Sequence, residues 1–317
     1  MPSDFSSDLS VTTPLSPALF HGALELEETP RGWKPHRLPA RARAQGADPQ
    51  LLLAEAQPSG VRLVCRTAAR SLALRVLATK RVFTLLPPGP DGQYELWIDG
   101  VPFAQRSAMA GDRRSVDMAT GAFEIREGAP ETLRFDDLPD GEKLLTLWLP
   151  ANEACLLVAL HSDAALHPVS DIEACTAGRR WLHHGSSISH GSDMASPSGT
   201  WPAVAAMRAG VALTNLGYSG SAMLEGFTAR TIRDTPADVI SLKLGINPVN
   251  GDIMRMRAFV PAVHNFLDIL REGHPTTPVL LISPILCPMH ETVPGPTQPD
   301  LEAAAKGQLR FRAMGRA

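Results

Sequence analysis

The sequence predicts an α/β protein in which an N-terminal antiparallel β-sandwich precedes a C-terminal three-layer α/β/α domain. Two patterns along the chain indicate this arrangement. Short stretches of alternating apolar and polar residues dominate from about residue 24 to 166, as in strands with one buried face. After residue 178, short apolar runs alternate with helical stretches, which is typical of a parallel sheet covered by helices. With 317 residues, 44% of them hydrophobic, the chain is long enough for two cores.

The predicted sandwich, which is similar to a jelly roll, spans residues 21–170. One of its strands places Val61, Leu63 and Cys65 on one face and Arg62 and Arg66 on the other. Asp-Gly pairs separate several such strands and favour tight turns, because glycine accepts a positive φ; they lie at Asp91-Gly92, Asp99-Gly100 and Asp140-Gly141. Several short strands at this spacing favour two packed antiparallel sheets.

Two segments flank the sandwich. Residues 1–20 are rich in Ser, Thr, Pro and Asp, so we expect a disordered tail with too little apolar surface to offset the entropy of ordering. Residues 167–178 contain a proline and a glycine and show no clear period, which places the domain boundary there.

The C-terminal domain, residues 178–317, is predicted to hold a parallel sheet of four strands near residues 182, 213, 242 and 281. Helices are expected near residues 200–209, 227–234 and 256–271, with one more over 299–314. Because no further strand pattern follows, we expect a sheet edge without a partner strand, which favours aggregation or pairing with another chain.

Composition narrows the class of function. A net charge of −3 with 5% aromatic residues argues against a nucleic-acid surface, which needs clustered Lys and Arg. The chain has no continuous apolar run long enough to span a membrane, and its start has no signal-peptide pattern, so we expect a cytoplasmic protein. The four cysteines show no metal spacing and are expected to be buried thiols. No cofactor and no metal site are predicted.

Three residues that follow predicted strands carry the candidate chemistry. Ser187, in Gly185-Ser-Ser187-Ile, comes directly after an apolar run, and open α/β folds bind ligands at the carboxyl edge of the sheet. Gly220 and Asn247 follow the next two strands along the chain. Taken singly, Ser187 and Asn247 could each cap a helix and Gly220 could serve a tight turn. With all three at strand ends, we expect them to share one site at this edge of the sheet, with Ser187 as the candidate nucleophile.

Their spacing resembles that of the SGNH (GDSL-type) hydrolase family over residues 179–288. Gly185-Ser186-Ser187-Ile188 matches the first block, Gly220 the glycine of the second and Asn247 the asparagine of the third. The resemblance implies a flavodoxin-like strand order, Ser187 as nucleophile, and an oxyanion hole made by Gly220, Asn247 and the serine N–H. Ser186 and Pro248 stand where the family usually has Asp, and the fourth block, Asp-x-x-His-Pro near the C-terminus, is missing.

The general base is therefore the open question of the sequence. His290, followed by Glu291, comes after the last apolar run and is the candidate substitute base, with Glu291 to orient it. His274-Pro275 precedes a predicted strand and His167-Pro168 lies in the boundary segment, so neither fits the fourth block. A C-terminal truncation accounts most simply for the missing block, and the chain is then expected to be nearly inactive.

Three further histidines flank the serine. His183, His184 and His190 are expected to shape the pocket or to lie in the core, and a metal site of His184, His190 and Asp193 is not expected. A Gly-x-Ser-x-Gly nucleophile elbow is absent, which disfavours the α/β-hydrolase alternative.

The resemblance thus implies a serine esterase that hydrolyses small acyl esters, and acetyl esters of carbohydrates are the expected substrates. The carbohydrate part is an analogy with carbohydrate esterases that carry an appended β-sandwich. The alternative is a non-catalytic carbohydrate-binding or scaffold protein with a degenerate hydrolase pocket. A small acyl-ester substrate is the expected partner, and a homo-oligomer stays an option; neither nucleic acid nor membrane is expected to bind.

Overall fold

The computed structural model describes residues 8–45, 48–84, 86–117, 120, 122–194, 196–293, 295–308 and 310–315. Fourteen strands form its N-terminal part: β1 (Val11–Thr12), β2 (Phe20–His21), β3 (Glu25–Thr29), β4 (Gly32–His36), β5 (Arg62–Thr67), β6 (Leu72–Phe83), β7 (Gln93–Ile98), β8 (Val101–Ser107), β9 (Asp112–Val116), β10 (Phe123–Arg126), β11 (Glu131–Phe135), β12 (Lys143–Trp148), β13 (Ala154–Ser162) and β14 (His167–Pro168). Two short helices interrupt the strands, α1 (Ala40–Arg43) and α2 (Pro49–Ala56).

The strands form two sheets of a sandwich, as predicted. The larger sheet has the order β10-β9-β6-β13-β4-β3, with β1 also on β13 and β11 on β6. The smaller has the order β14-β5-β12-β7-β8, with β2 on β5. Their inner faces share one apolar core, to which Val61, Leu63 and Cys65 contribute. The pairing of β6 with β9 is parallel, an exception to the predicted antiparallel arrangement.

The prediction of a disordered tail over residues 1–20 is wrong for residues 8–20; residues 1–7 lie outside the described residues. β1 pairs with β13, a short 3₁₀ helix covers Pro17–Leu19, and Leu15 and Leu19 are buried in the sandwich core. The few apolar residues of this segment are spaced so that they reach the core together. Average composition does not register such spacing.

The C-terminal part alternates strands and helices: β15 (Arg180–Gly185), α3 (Ser187–His190), α4 (Trp201–Ala209), β16 (Ala212–Gly217), α5 (Gly226–Asp234), β17 (Val239–Lys243), α6 (Ile246–Gly251), α7 (Met256–Gly273), β18 (Val279–Ile282), α8 (Pro288–Thr292), β19 (Thr297–Pro299), α9 (Leu301–Ala304) and β20 (Phe311–Ala313). The parallel sheet has the order β16-β15-β17-β18. The four predicted strands and the helices at α4, α5 and α7 are confirmed. Among the helices so described, none is long and apolar enough to cross a membrane.

The helix predicted over residues 299–314 is wrong. α9 covers only Leu301–Ala304, and β19 and β20 form an antiparallel pair around it. Asp300 caps the start of α9 by accepting hydrogen bonds from two backbone N–H groups. Gly307 has a φ of +72°, which favours the end of a helix over its continuation.

The segment between β4 and β5 joins the two domains, which the sequence patterns do not indicate. Leu38, Ala42, Leu51 and Ala54 are buried in the core of the C-terminal domain, not in that of the sandwich. The predicted outer face of β5 is also covered, because the Arg62 guanidinium is buried and donates to the Leu213 carbonyl at 3.2 Å. The two domains therefore share an extensive seam.

Candidate active site

The turn after β15 presents Ser187. Its backbone leaves the strand at Gly185, passes the extended Ser186 and enters α3, so that the side chain of Ser187 is exposed at the carboxyl edge of the sheet. Two glycines allow α3 to pack closely on the sheet: Gly185 at the end of β15 and Gly217 at the end of β16. A Cβ at Gly185 would lie 2.4 Å from Ser189 Oγ, and one at Gly217 would lie 2.4 Å from the His190 backbone nitrogen. Close packing of α3 on β15 and β16 thus fixes the position of the serine.

The loop after β16 lies beside this turn. The Tyr218 N–H donates to the Gly185 carbonyl at 2.8 Å, and the Ser219 N–H donates to His190 Nδ1 at 3.2 Å. Gly220 follows with a φ of +75° and is exposed. This left-handed conformation is one that side chains rarely adopt, which explains a glycine here.

Asn247 lies on α6, directly after β17, and its side chain is hydrogen-bonded to the loop that follows β16. Its Oδ1 accepts a hydrogen bond from the Ala222 N–H at 2.9 Å, and the residue is 4% exposed. With Oδ1 held in this way, the two N–H groups of Nδ2 are left to donate elsewhere. The amide therefore presents its donor end, which is the end that can stabilise an anion.

Three hydrogen-bond donors are free at this edge of the sheet. Among the described residues, no hydrogen bond is donated by the backbone N–H groups of Ser187 and Gly220 or by Asn247 Nδ2. The first N–H groups of a helix have no partner inside the helix, so the N–H of Ser187 at the start of α3 remains available. The structure thus places all three predicted residues where parallel strands end, while their catalytic roles stay predictions.

Three buried histidines support the Ser187 turn. His183 bridges Ser241 Oγ and Ser189 Oγ at 2.7 Å each, His184 Nδ1 lies 2.7 Å from the Leu216 carbonyl, and His190 Nε2 lies 2.9 Å from the Ala151 carbonyl. Burial lowers the pKa of His183 to about 3 and that of His184 to about 4, and it holds the pKa of His190 well below its usual value. All three are therefore neutral at pH 7, and each has a ring nitrogen committed to the protein.

His290 lies on α8, close to the end of α6. Its Nε2 is 3.0 Å from Asn250 Oδ1 and 2.7 Å from Thr297 Oγ1. No hydrogen bond of the described residues joins it to Ser187 or to Glu291, so the ring is oriented by Asn250 and Thr297, whereas Glu291 was the predicted orienter. Its role as substitute base stays a prediction.

The two His-Pro pairs lie away from this edge. His274 caps the end of α7, at the amino edge of the sheet, and its Nε2 is 3.0 Å from the Ile232 carbonyl. His167 begins β14 in the sandwich and is exposed. Nor does the part of the chain that the structure describes hold a group of three or more His, Cys, Asp or Glu placed to bind a metal.

The segment between β4 and β5 supplies supports that sequence reasoning missed. The Ser59 hydroxyl donates to the His190 carbonyl at 2.5 Å, and Gln50 Nε2 donates to the Ser219 carbonyl at 2.9 Å. Arg37 is fully buried and donates to the carbonyls of Asn215, Gly217, Gln57 and Ala54. No local motif marks these residues, since their partners lie more than 100 positions away for all but two of these bonds.

An apolar groove opens on the other side of Asn247. It has a volume of about 740 Å³ and is bounded by Pro248, Val249, Phe259, Leu281 and Pro284, among others, with Arg255 as its charged residue. β18 forms its floor, and in the described sheet this strand pairs with β17 alone. Leu280 is 59% exposed and Leu281 is 51% exposed, so the edge strand presents apolar side chains.

Comparison with known proteins identifies the family. A family described as "GDSL-like Lipase/Acylhydrolase family" matches residues 179–294, the span that contains all three candidate residues. A salicylyl-acyltransferase from a tetracycline biosynthetic pathway is 30% identical; the match covers 87% of this chain and 72% of that one, with a TM-score of 0.71. The chain belongs to the GDSL-like lipase/acylhydrolase family. As an SGNH hydrolase it falls in the class of carboxylic ester hydrolases.

Two more distant structures share the fold. A GDSL-like lipase from Bacteroides ovatus is 20% identical, with 83% of this chain and 71% of that chain covered and a TM-score of 0.60. A family two carbohydrate esterase from Clostridium thermocellum is 14% identical, with 86% of this chain and 79% of that chain covered and a TM-score of 0.57. In both, the match extends over sandwich and hydrolase domain together. A search of curated proteins finds no match.

Proposed function

We propose that this SGNH hydrolase cleaves small acyl esters, acetyl esters of carbohydrates in particular, with Ser187 as nucleophile. The proposal is supported by three free donors at the same sheet edge as the exposed serine: the N–H groups of Ser187 and Gly220 and the amide of Asn247. Donors held in place before the reaction stabilise the charge that develops in the transition state at little cost in reorganisation.

The reaction proceeds in two steps. Ser187 Oγ attacks the ester carbonyl carbon, and the carbonyl oxygen becomes an oxyanion that accepts hydrogen bonds from the three donors. The C–O bond to the alcohol then breaks, the alcohol leaves with a proton, and an acyl-serine remains. Water attacks the acyl-serine in the second step, releasing the carboxylic acid and regenerating the hydroxyl.

A base must take the serine proton, and His290 is the candidate for this role. The three histidines nearest in sequence to Ser187 are buried and engaged, which leaves His290 on the catalytic edge of the sheet. Because Asn250 and Thr297 occupy its Nε2, only Nδ1 is available for a proton from the serine or from a bridging water. We therefore propose weak turnover, sustained mainly by the oxyanion donors.

The carbohydrate assignment is supported by analogy. The Clostridium thermocellum structure named as a carbohydrate esterase has a similar arrangement of both domains at low identity, which speaks for the fold and not for the substrate. The salicylyl-acyltransferase favours a second candidate, transfer of the acyl group to a hydroxyl acceptor in place of water. An acyl-serine can react in either way, so the two functions share every residue named above.

The test measures turnover of an acetylated sugar and labelling by a fluorophosphonate in the wild type, Ser187→Ala, His290→Ala and the control Ser192→Ala. Ser192 follows α3 and bonds to Ser219, so it is a neighbouring hydroxyl outside the proposed chemistry. We expect labelling and turnover to vanish in Ser187→Ala only, and turnover to fall in His290→Ala. A wild type that binds the sugar but neither labels nor turns over would favour the non-catalytic alternative. To separate hydrolysis from acyl transfer, an alcohol acceptor is added and the products are identified by mass spectrometry.

A further inference from the structure

Two arginines near the β10 edge of the larger sheet form an unusual pair. Arg81 and Arg114 lie opposite each other in the parallel pairing of β6 with β9, and both are half-buried. Each guanidinium lies over a phenyl ring, that of Arg81 at 5.1 Å from the centroid of Phe83 and that of Arg114 at 3.6 Å from the centroid of Phe123. Like charges directly opposite on neighbouring strands repel, so the sheet is less stable for this arrangement.

Neither arginine forms a direct ion pair in the part of the chain that the structure describes, and the charge of Asp193 acts on Arg81 only from a greater distance. None of the ion pairs between described residues includes Arg81 or Arg114, and the Nε of Arg114 is buried without a hydrogen-bond partner. Neighbouring cations differ, since Lys80 contacts Asp91 and Arg31 makes two hydrogen bonds to Asp112. No carboxylate of the described residues therefore neutralises these two guanidinium groups by direct contact.

Arg81 is close enough to α3, the helix that begins with Ser187, for its charge to act on His190. On the same face as Arg81, two residues earlier, Thr79 pairs with Ala154, and the nearby Ala151 carbonyl contacts His190 of α3 at 2.9 Å. The charges of Arg81 and of residues on and after α3 also influence one another. After burial and Arg37, the charge of Arg81 is a further cause that lowers the pKa of His190, and Asp193 partly offsets the effect of burial on the pKa of Arg81.

We propose that Arg81 and Arg114 form an anion subsite beside Ser187 that binds a carboxylate on the ester substrate. The inference rests on the proposed function and adds to it a substrate class: esters that carry a negative charge away from the scissile bond. A guanidinium donates two parallel hydrogen bonds to a carboxylate, and the phenyl rings hold the guanidinium planes in place. One carboxylate between the two cations would also remove their mutual repulsion.

The test compares two acetyl esters of nearly equal shape, anionic 4-acetoxybenzoate and neutral 4-acetoxybenzamide. The variants are Arg81→Gln and Arg114→Gln, with Arg113→Gln as the matched control. Arg113 is the next residue along β9, is exposed, and by the alternation of a strand points to the opposite face. Arg81→Lys keeps the charge but loses the paired donors.

We expect each of the first two variants to lower kcat/KM for the benzoate by about tenfold or more, the usual effect of losing a charge-assisted hydrogen bond, and kcat/KM for the benzamide by less than about twofold. Arg81→Lys should recover part of the loss, Arg113→Gln should change neither ester, and added salt should weaken the preference for the benzoate. Equal losses for the two esters, or the same loss in Arg113→Gln, would overturn the subsite.

A binding measurement distinguishes failure of the proposed esterase function from failure of the anion subsite. If no protein turns over either ester, calorimetric titration with the products 4-hydroxybenzoate and 4-hydroxybenzamide decides the matter. Tighter binding of the acid by the wild type, lost in Arg81→Gln, would support the subsite without the esterase. Equal binding of acid and amide would reject it.

Discussion

The turn that carries Ser187 and the helix that carries Asn247 meet at one sheet edge but are held by different contacts. The end of β15, α3 and the loop after β16, which we term the anchored side, receive hydrogen bonds from Ser59 and Gln50 of the segment between β4 and β5. They also contain buried neutral histidines. α6, the start of α7 and β18, which we term the open side, surround the apolar groove and expose leucines to solvent. The nucleophile is thus positioned by both domains together, and the open side by the C-terminal domain alone.

The largest expected effect is a loss of stability in acid, caused by the buried histidines of the anchored side. Burial holds the pKa of His183, His184 and His190 below the ordinary value of 6.5, so the unfolded chain binds more protons than the folded one as the pH falls below 6.5. Each ring should cost about 2 kcal/mol of stability by pH 5, since each pH unit below 6.5 is worth about 1.4 kcal/mol. Urea unfolding between pH 7.5 and pH 5 measures the loss.

The control for acidification is the exposed histidine His264, because His264→Gln leaves the buried rings in place. Its pH dependence should match that of the wild type, whereas His184→Asn should flatten the curve. A wild-type stability that stays constant down to pH 5 would mean that these rings are not kept neutral by burial.

Arg37→Met should produce the next largest loss. Burial lowers the pKa of Arg37 to about 10, so the guanidinium stays charged at neutral pH, and four backbone carbonyls would lose their donor on substitution. We expect a loss of about 3–5 kcal/mol in the free energy of unfolding, since hydrogen bonds to charged groups contribute about 1.5–3 kcal/mol each and the losses overlap. Arg126→Met, an exposed arginine in β10, should change the stability by less than about 0.5 kcal/mol.

Asn247→Ala tests the oxyanion donor that lies between the anchored side and the open side. Removing one oxyanion donor should lower kcat by about 10²–10³ with little change in KM, because the charge that it stabilises exists mainly in the transition state. Steady-state kinetics on an activated acetyl ester, with circular dichroism to confirm folding, measure this effect. A change confined to KM would show that Asn247 only positions the substrate.

The open side should tolerate substitution. Leu280→Lys places a charge on an edge strand where the side chain is 59% exposed, so we expect less than about 0.5 kcal/mol of change in stability. Solubility should rise, because a lysine on an exposed edge opposes pairing with other chains. Light scattering of both proteins at equal concentration checks this, and a wild type that is already monodisperse at high concentration would contradict the expected aggregation.

Local patterns were sufficient for much of the fold. The strands of the sandwich and the four strands of the parallel sheet follow from alternation and from short apolar runs, since each pattern depends on a few neighbouring residues. The helix predicted over residues 299–314 failed because apolar residues in approximate helical register do not outweigh the break at Gly307. The prediction of a disordered tail failed because the average composition of the segment hides Leu15 and Leu19. These two residues pack into the sandwich core and order the chain around them.

By itself the sequence determined the positions of Ser187, Gly220 and Asn247 at strand ends, because a parallel sheet brings the carboxyl ends of its strands to one edge. Only the tertiary structure decided what surrounds them. Ser59 and Arg37 reach the site across more than 100 residues, and Arg81 meets Arg114 through a parallel pairing that no local pattern predicts. Such contacts join residues that are distant in the sequence, either across the seam between the domains or between strands of one sheet, and the information for them is distributed over the whole chain.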